Sequence, residues 1–207
     1  MNICKRKLKN KNGTVVMLFM LFQVISFPIL VGYTLDPINI YNISNRMKFS
    51  LNAAVKSGST KFDLNSPLTH GDGKLYILED SSLNNLQVAS NAARNIFALN
   101  MGLTEDSVTC IGESKKVVYK EANNAFVNGC SELQVFIYNS YTTKTYPDTG
   151  AIDSSLTQYI DASLTNNIHV NVSRPTVFAV ARVEYKPILK QDPIVIVRYA
   201  ASQLTGK

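Results

Sequence analysis

The segment Thr14-Val-Val-Met-Leu-Phe-Met-Leu-Phe-Gln-Val-Ile-Ser-Phe-Pro-Ile-Leu-Val-Gly-Tyr33 decides how the rest of the chain is read. It carries no charge, and the first ionic residue after Lys11 is Asp36. At about 1.5 Å rise per residue, a helix over this stretch matches the roughly 30 Å hydrocarbon core of a bilayer. Its polar members, Thr14, Gln23 and Ser26, are mild. Pro28 and Gly32 are better tolerated in membrane helices than in soluble ones. The run is longer than the about 7–15 apolar residues of a cleaved signal peptide. Near Gly32 the bulky Leu30 spoils an Ala-x-Ala-like cleavage site. A buried core helix fits poorly beside a purely cationic flank. The reading is a retained transmembrane helix over 14–35.

Toward the N-terminus, Lys5, Arg6, Lys7, Lys9 and Lys11 stand without an acidic neighbour. By the positive-inside rule, 1–13 is a basic cytoplasmic tail and everything after the span is extracytoplasmic. The same five residues account for most of the net charge of +6, since the remaining 16 basic residues face 15 acidic ones. A nucleic-acid partner would call for Lys and Arg spread over a folded face, so none is expected. Cys4 precedes the apolar run, which argues against lipid attachment there.

Toward the C-terminus, Ile40, Ile43, Met47, Leu51, Ala54 and Val55 recur mostly at spacings of three and four, a helical stripe. Gly58 is a plausible stop, and Pro37 fits either a kink or a new helix start. Residues 14–57 therefore form one long bent helix or two helices meeting near Asp36. Residues 36–58 are in either case a helical extension of the anchor. No Ser/Gly/Pro-rich stalk separates anchor from outer domain.

Residues 59–207 read as an extracytoplasmic α+β domain. Leu75–Leu78 is a short strand candidate. Leu83, Leu86, Ala89, Ala93, Ile96 and Phe97 mark a helix capped by Asp80 or Ser81 and followed by Gly102. Its Ala-rich face calls for close packing. Strands are expected over 107–111, 116–120, 132–141, 167–172, 176–185 and 194–199. In 176–185, Val177, Ala179, Ala181, Val183 and Tyr185 share one face, and Phe178, Val180, Arg182 and Glu184 the other. Ile194–Val197 is apolar on both faces, as a central strand would be. Pro187 and Pro193 mark 188–192 as a connection, and 153–163 is a short helix or a loop. The 207 residues, 45% apolar and 17% charged, suit one medium domain plus an appendage. The fold class is α+β: a long N-terminal transmembrane and amphipathic helix, a second helix, and a mostly antiparallel C-terminal sheet.

This order resembles the TadE/TadG-like pseudopilins of tight-adherence (Flp-type) pilus systems, in their Gram-positive-type form. The resemblance rests on four degenerate matches. These are Asn12-Gly13-Thr14 ahead of the apolar run; Leu51-Asn-Ala-Ala-Val-Lys-Ser-Gly58 at the end of the anchor helix; Leu86 through Asp106, with its Asn100-Met-Gly-Leu103 turn; and the terminal hairpin formed by Arg174–Pro187 and Ile194–Tyr199. It implies a prepilin-type processing junction at Gly13 and Thr14. The fifth position after that junction is Leu18, where the family generally has Glu. Read from the residues alone, Gly13 is a break before the membrane helix.

Chemistry-bearing motifs are sparse. Only His70 and His169 are present, the first in a turn-like His-Gly-Asp-Gly stretch and the second in a strand pattern. Nucleophile-elbow, phosphate-loop, dinucleotide and zincin motifs are absent. No catalytic, cofactor-binding or metal-binding residue is nominated, and no cofactor is expected. Cys110 and Cys130, both outside the cytoplasm, are candidates for a disulfide, with two separate thiols as the alternative. Tyr138, Tyr141, Tyr146 and Tyr159 either contact a ligand or pack at strand edges.

The expected function is that of a non-catalytic, single-pass envelope protein of the cell membrane, a minor pilin or pseudopilin in pilus assembly or adhesion. Its expected partners are the lipid bilayer, other pilin-like or secretion-platform subunits, and further copies of itself. Association within the membrane would use Gln23, Ser26 and Gly32. The alternative is an extracytoplasmic ligand-binding or sensor module working with a partner membrane protein. An anchored hydrolase is weaker, for want of a nucleophile–base pair.

Overall fold

The computed structural model describes residues 3–65, 67, 71–78, 88–111, 114–120, 127–147, 151–157 and 170–204. The chain is α+β, with a long N-terminal apolar helix, a second helix and antiparallel sheets. Helix α1, Ile3–Ser59, is continuous through Pro28 and Pro37, which decides for one helix rather than two. Its 57 residues make it about 85 Å long at 1.5 Å per residue. It also runs straight through Gly13, which corrects the reading of that glycine as a break before the apolar run.

Two short strands, β1 (Phe62–Asp63) and β2 (Tyr76–Ile77), pair antiparallel just beyond α1. In the turn between them Gly71 and Gly73 both have positive φ, and the Lys74 amide donates to Asp72 Oδ1, as a Gly-Asp-Gly turn should. Helix α2 is described over Val88–Met101; the expected Asp80 or Ser81 cap lies outside the described residues. The helix stops at Gly102, whose φ is 68°. Gly102 N donates to Leu99 O, and Leu103 N donates to Ala98 O, the paired bonds of a Schellman terminus. Only glycine adopts that left-handed conformation without strain.

The main sheet contains β3 (Glu105–Ile111), β4 (Ser114–Tyr119), β5 (Ser131–Tyr138), β8 (Thr176–Tyr185) and β9 (Ile194–Gln203), in the order β3-β4-β5-β8-β9. All its neighbours are antiparallel. Between β5 and β8 the chain makes a ribbon of β6 (Lys144–Tyr146) and β7 (Val170–Val172), with a one-turn helix, α3 (Ser154–Thr157). The β8 faces separate as the alternation predicts. Val177, Ala179, Ala181, Val183 and Tyr185 join the core beneath the helices, whereas Phe178 and Val180 join a second core with Phe136, Tyr138, Tyr146, Leu156 and Val172. The sheet is thus the middle layer, with α1 and α2 on one face and α3 and the ribbon on the other.

The central position belongs to β5, with β4 and β8 on either side of it, and the expectation that 194–197 would be central is corrected. β9 is an edge strand. Its double-sided apolarity arises because α1 covers Ile196 and Ala200, while Val197 and Ala201 lean on the second core. Tyr138 and Tyr146 are buried, with ring centroids 4.8 Å apart, so they pack rather than present a contact surface. Tyr141 packs edge-on against Tyr76 and donates to Leu75 O. Tyr159, His70 and His169 lie outside the described residues.

Candidate functional site

Helix α1 lives in two environments. Ile43, Met47, Leu51, Ala54 and Val55 are buried beneath the sheet and α2. The approach to α2 is close: a Cβ at Gly58 would lie 3.0 Å from Ala89 O and 3.2 Å from Val177 Cγ1. Small residues on both helices, Gly58, Ala89 and Ala93, permit it. Arg46 Nε then donates to Asn100 O at 2.7 Å, placing a cation at the C-terminal end of α2, where the helix dipole favours one. The N-terminal half is the reverse. Val15 through Leu30 present their large apolar side chains outward, and Phe22 is 67% exposed where Leu51 is fully covered. Among the described residues, this is one helix long and apolar enough to cross a membrane.

The α+β domain extends along α1 to the end of that apolar half. The β8–β9 loop docks on α1 through Asp36, whose Oδ1 accepts from Tyr185 Oη at 2.7 Å and from Ile188 N at 3.0 Å. Asn39 Nδ2 donates to the same Tyr185 oxygen at 3.1 Å. Leu189 sits on Gly32, where a Cβ would fall 2.6 Å from Leu189 Cδ1 and 2.9 Å from Cδ2.

No family model, curated protein or solved structure matches this chain.

The residues nominated for association in the membrane separate into two groups. Gln23 and Ser26 line an open groove on α1 with Phe19, Phe22, Phe27 and Leu30. The Ser26 hydroxyl donates back to Phe22 O, which leaves Ser26 as a small contact residue rather than an interhelical donor. Gly32 is different: the face where its missing side chain leaves room is filled by Leu189 of the same chain, so the interhelical role expected of it is corrected. Gly13 and Thr14 are exposed, and nothing lies within 4 Å of a Cβ at Gly13.

The expected Cys110–Cys130 bridge is also corrected. Cys110 stands opposite Lys115 in the β3–β4 pair, while Ser131, next to Cys130, stands opposite Tyr119. The cysteines thus sit about five residues apart along the strands and two strands apart across them, an inter-Cα distance of about 19 Å. A disulfide needs about 4.4–6.8 Å. The sequence loop between them had the right length, but the β3–β4 hairpin sends its ends in opposite directions.

The structure also gathers a polar group that the sequence analysis missed. On the sheet face opposite the helices, Lys116 Nζ lies 3.0 Å from Asp153 Oδ1 and 3.5 Å from Glu132 Oε2, and donates to Ser155 Oγ at 2.6 Å. The Ser155 hydroxyl is 2.7 Å from Glu132 Oε2. Arg182 pairs with Glu132 at 3.8 Å and with Glu184. Gln134 spans the cluster, donating to Ser114 Oγ and Ala151 O while accepting from Asp153 N. The Ser155 hydroxyl, with help from Lys116, holds the Asp153 carboxyl below its ordinary range against the opposing effect of burial. A Ser–Lys pair is a known nucleophile arrangement, but here the Lys116 ammonium donates to Ser155 and faces two carboxylates. It is not placed to take a proton from that hydroxyl. The network ties α3 to β4, β5 and β8. The strand alternation of Arg182 and Glu184 carried part of this signal; Lys116 and Asp153 came from segments too distant in sequence to join to it. Among the described residues, no group of three His, Cys, Asp or Glu is placed to hold a metal ion.

Proposed function

We propose that this chain is a non-catalytic, single-pass subunit of the cell envelope, acting as a minor pilin or pseudopilin in pilus assembly or adhesion. One observation carries the reading: a single unbroken helix is uncovered along its apolar first half and built into an α+β domain along its second. Such a helix transmits force and position from the bilayer to the displayed domain without a hinge. The basic residues before it favour a cytoplasmic N-terminus. The outer domain would then present its surface to other pilin-like or secretion-platform subunits. The sequence resemblance to TadE-like pseudopilins supports the same assignment.

Self-association is proposed through the groove that holds Gln23. Within lipid, a Gln side chain gains from a partner across the interface, by about 0.6–2 kcal/mol. An in-membrane dimerisation assay on the span is expected to weaken with Gln23→Leu and to change little with Phe22→Leu. Equal signals from the two variants would remove Gln23 from the contact. At the level of the whole protein, crosslinking in the native membrane should recover like subunits or platform proteins. Recovery of the monomer alone would count against the pilin reading.

A further inference from the structure

We infer that the β8–β9 loop is a second membrane contact, with Ile188 and Leu189 seated in the interfacial layer of the outer leaflet. The inference rests on the membrane-anchoring reading and adds a lipid-binding site in the outer domain.

The geometry fixes the loop at one height. Gly32 lies 19 residues beyond Gly13, or about 28 Å along the helix, at the far edge of a roughly 30 Å hydrocarbon core. Leu189 rests on Gly32, and the Ile188 amide is held by Asp36 one turn above. At this level Ile188 remains 58% exposed and Leu189 42%, beside the exposed Tyr33 and Leu35 of the helix. These apolar side chains are contiguous with the uncovered surface of the span, so the bilayer that covers the span reaches them too. Buried Pro187 on one side and Pro193 on the other bound the loop and limit its freedom to withdraw. Exposed Lys186 and Lys190 flank the apolar pair, where long cationic side chains reach headgroups while their stems lie on apolar surface. Tyr33 suits the same interfacial layer. With the helix and the loop both in the membrane, the sheet has two points of attachment and a fixed orientation above it.

The chain contains no tryptophan, so a single introduced indole reports its own surroundings. The full chain is reconstituted in phosphatidylcholine–phosphatidylglycerol vesicles, with acyl chains brominated either near the headgroup or near the bilayer centre. Three variants are compared. Phe22→Trp reports the span. Leu99→Trp reports the exposed side of α2, near the Arg46–Asn100 contact, about 21 Å further along the helix axis than Gly32. Ile188→Trp reports the loop, at an exposed position where the larger ring displaces no core residue. The expected result is blue-shifted Ile188→Trp emission, quenched more by shallow bromine than by deep. Phe22→Trp should show the reverse order, and Leu99→Trp no quenching. If Phe22→Trp is quenched while Ile188→Trp behaves like Leu99→Trp, the loop contact is overturned and the anchor stands. Emission from Ile188→Trp that is blue-shifted but unquenched would mean protein, such as a second copy, covers the loop, and would also overturn the proposal. An unquenched Phe22→Trp would take down both readings.

Discussion

Asp36 clamps the β8–β9 loop onto α1, and its removal has a calculable effect. Asp36→Ala deletes the acceptor of the Tyr185 hydroxyl, 2.7 Å away, and of the Ile188 amide, 3.0 Å away. Hydrogen bonds to a charged group contribute about 1.5–3 kcal/mol when shielded and less when water competes. Here the Ile188 bond is exposed and the Tyr185 bond half-buried, and Asn39 still donates to the Tyr185 oxygen. A net local loss of about 1–2 kcal/mol follows, or about a 5–30-fold shift in the opening equilibrium of the loop. The global fold should hold, because the core formed by Met47, Leu51, Phe97 and the β8 face is untouched. Amide hydrogen exchange of the detergent-solubilised protein reads this directly. Peptides covering 186–193 should exchange faster by that factor in Asp36→Ala, while peptides from β5 and α2 should not change. Asp36→Asn keeps one acceptor oxygen and should fall between. Tyr185→Phe should reproduce part of the effect, and the double variant should cost less than the sum of the two singles. Unchanged exchange at 186–193 in Asp36→Ala would refute the clamp.

Leu51→Ala should destabilise the α+β domain by about 2–5 kcal/mol, whereas Leu18→Ala should leave its melting temperature unchanged; the check is thermal unfolding of both in the same detergent. Asp153→Asn tests the ion network by pH. Because the folded Asp153 carboxyl titrates below its ordinary 3.8, its stabilisation is complete at neutral pH and lost as pH falls through the folded value. Wild type and Asp153→Asn should therefore differ most in stability at pH 7 and converge in strong acid; a gap independent of pH would contradict this. Reducing agent should not alter the unfolding midpoint, and Cys110→Ser should match wild type, since the strand register keeps Cys110 and Cys130 apart.

Much of the fold was legible because local periodicity and tertiary burial agree in these segments. The β8 alternation places Val177 through Tyr185 under the helices, and the Ala-rich face of α2 meets Gly58 across a narrow gap. Gly102 ended α2 because a left-handed residue is needed where it stands. Apart from Gly13, the misreadings share one cause: a residue's partner lay far away in sequence. Ile194–Val197 looked central from composition, but an edge strand is just as apolar when a helix lies over one face and a second core abuts the other. Gly32 read as a helix–helix contact because Leu189, which fills its vacancy, lies in a stretch recognisable only as a connection. The cysteine pair had a permissible spacing, and only the hairpin register shows the two ends diverging. The Lys116–Glu132–Asp153–Arg182 cluster draws on three strands and the segment leading into α3. No window along the chain holds enough of it to be seen.

The central claim is that the uncovered half of α1 resides in lipid while its covered half belongs to the displayed domain. Alkaline carbonate extraction of membranes from cells expressing the full chain tests it most directly, alongside a variant lacking residues 14–31. The account predicts that the full chain stays in the pellet and that the deletion variant moves to the supernatant. A full chain extracted quantitatively into the supernatant would contradict it.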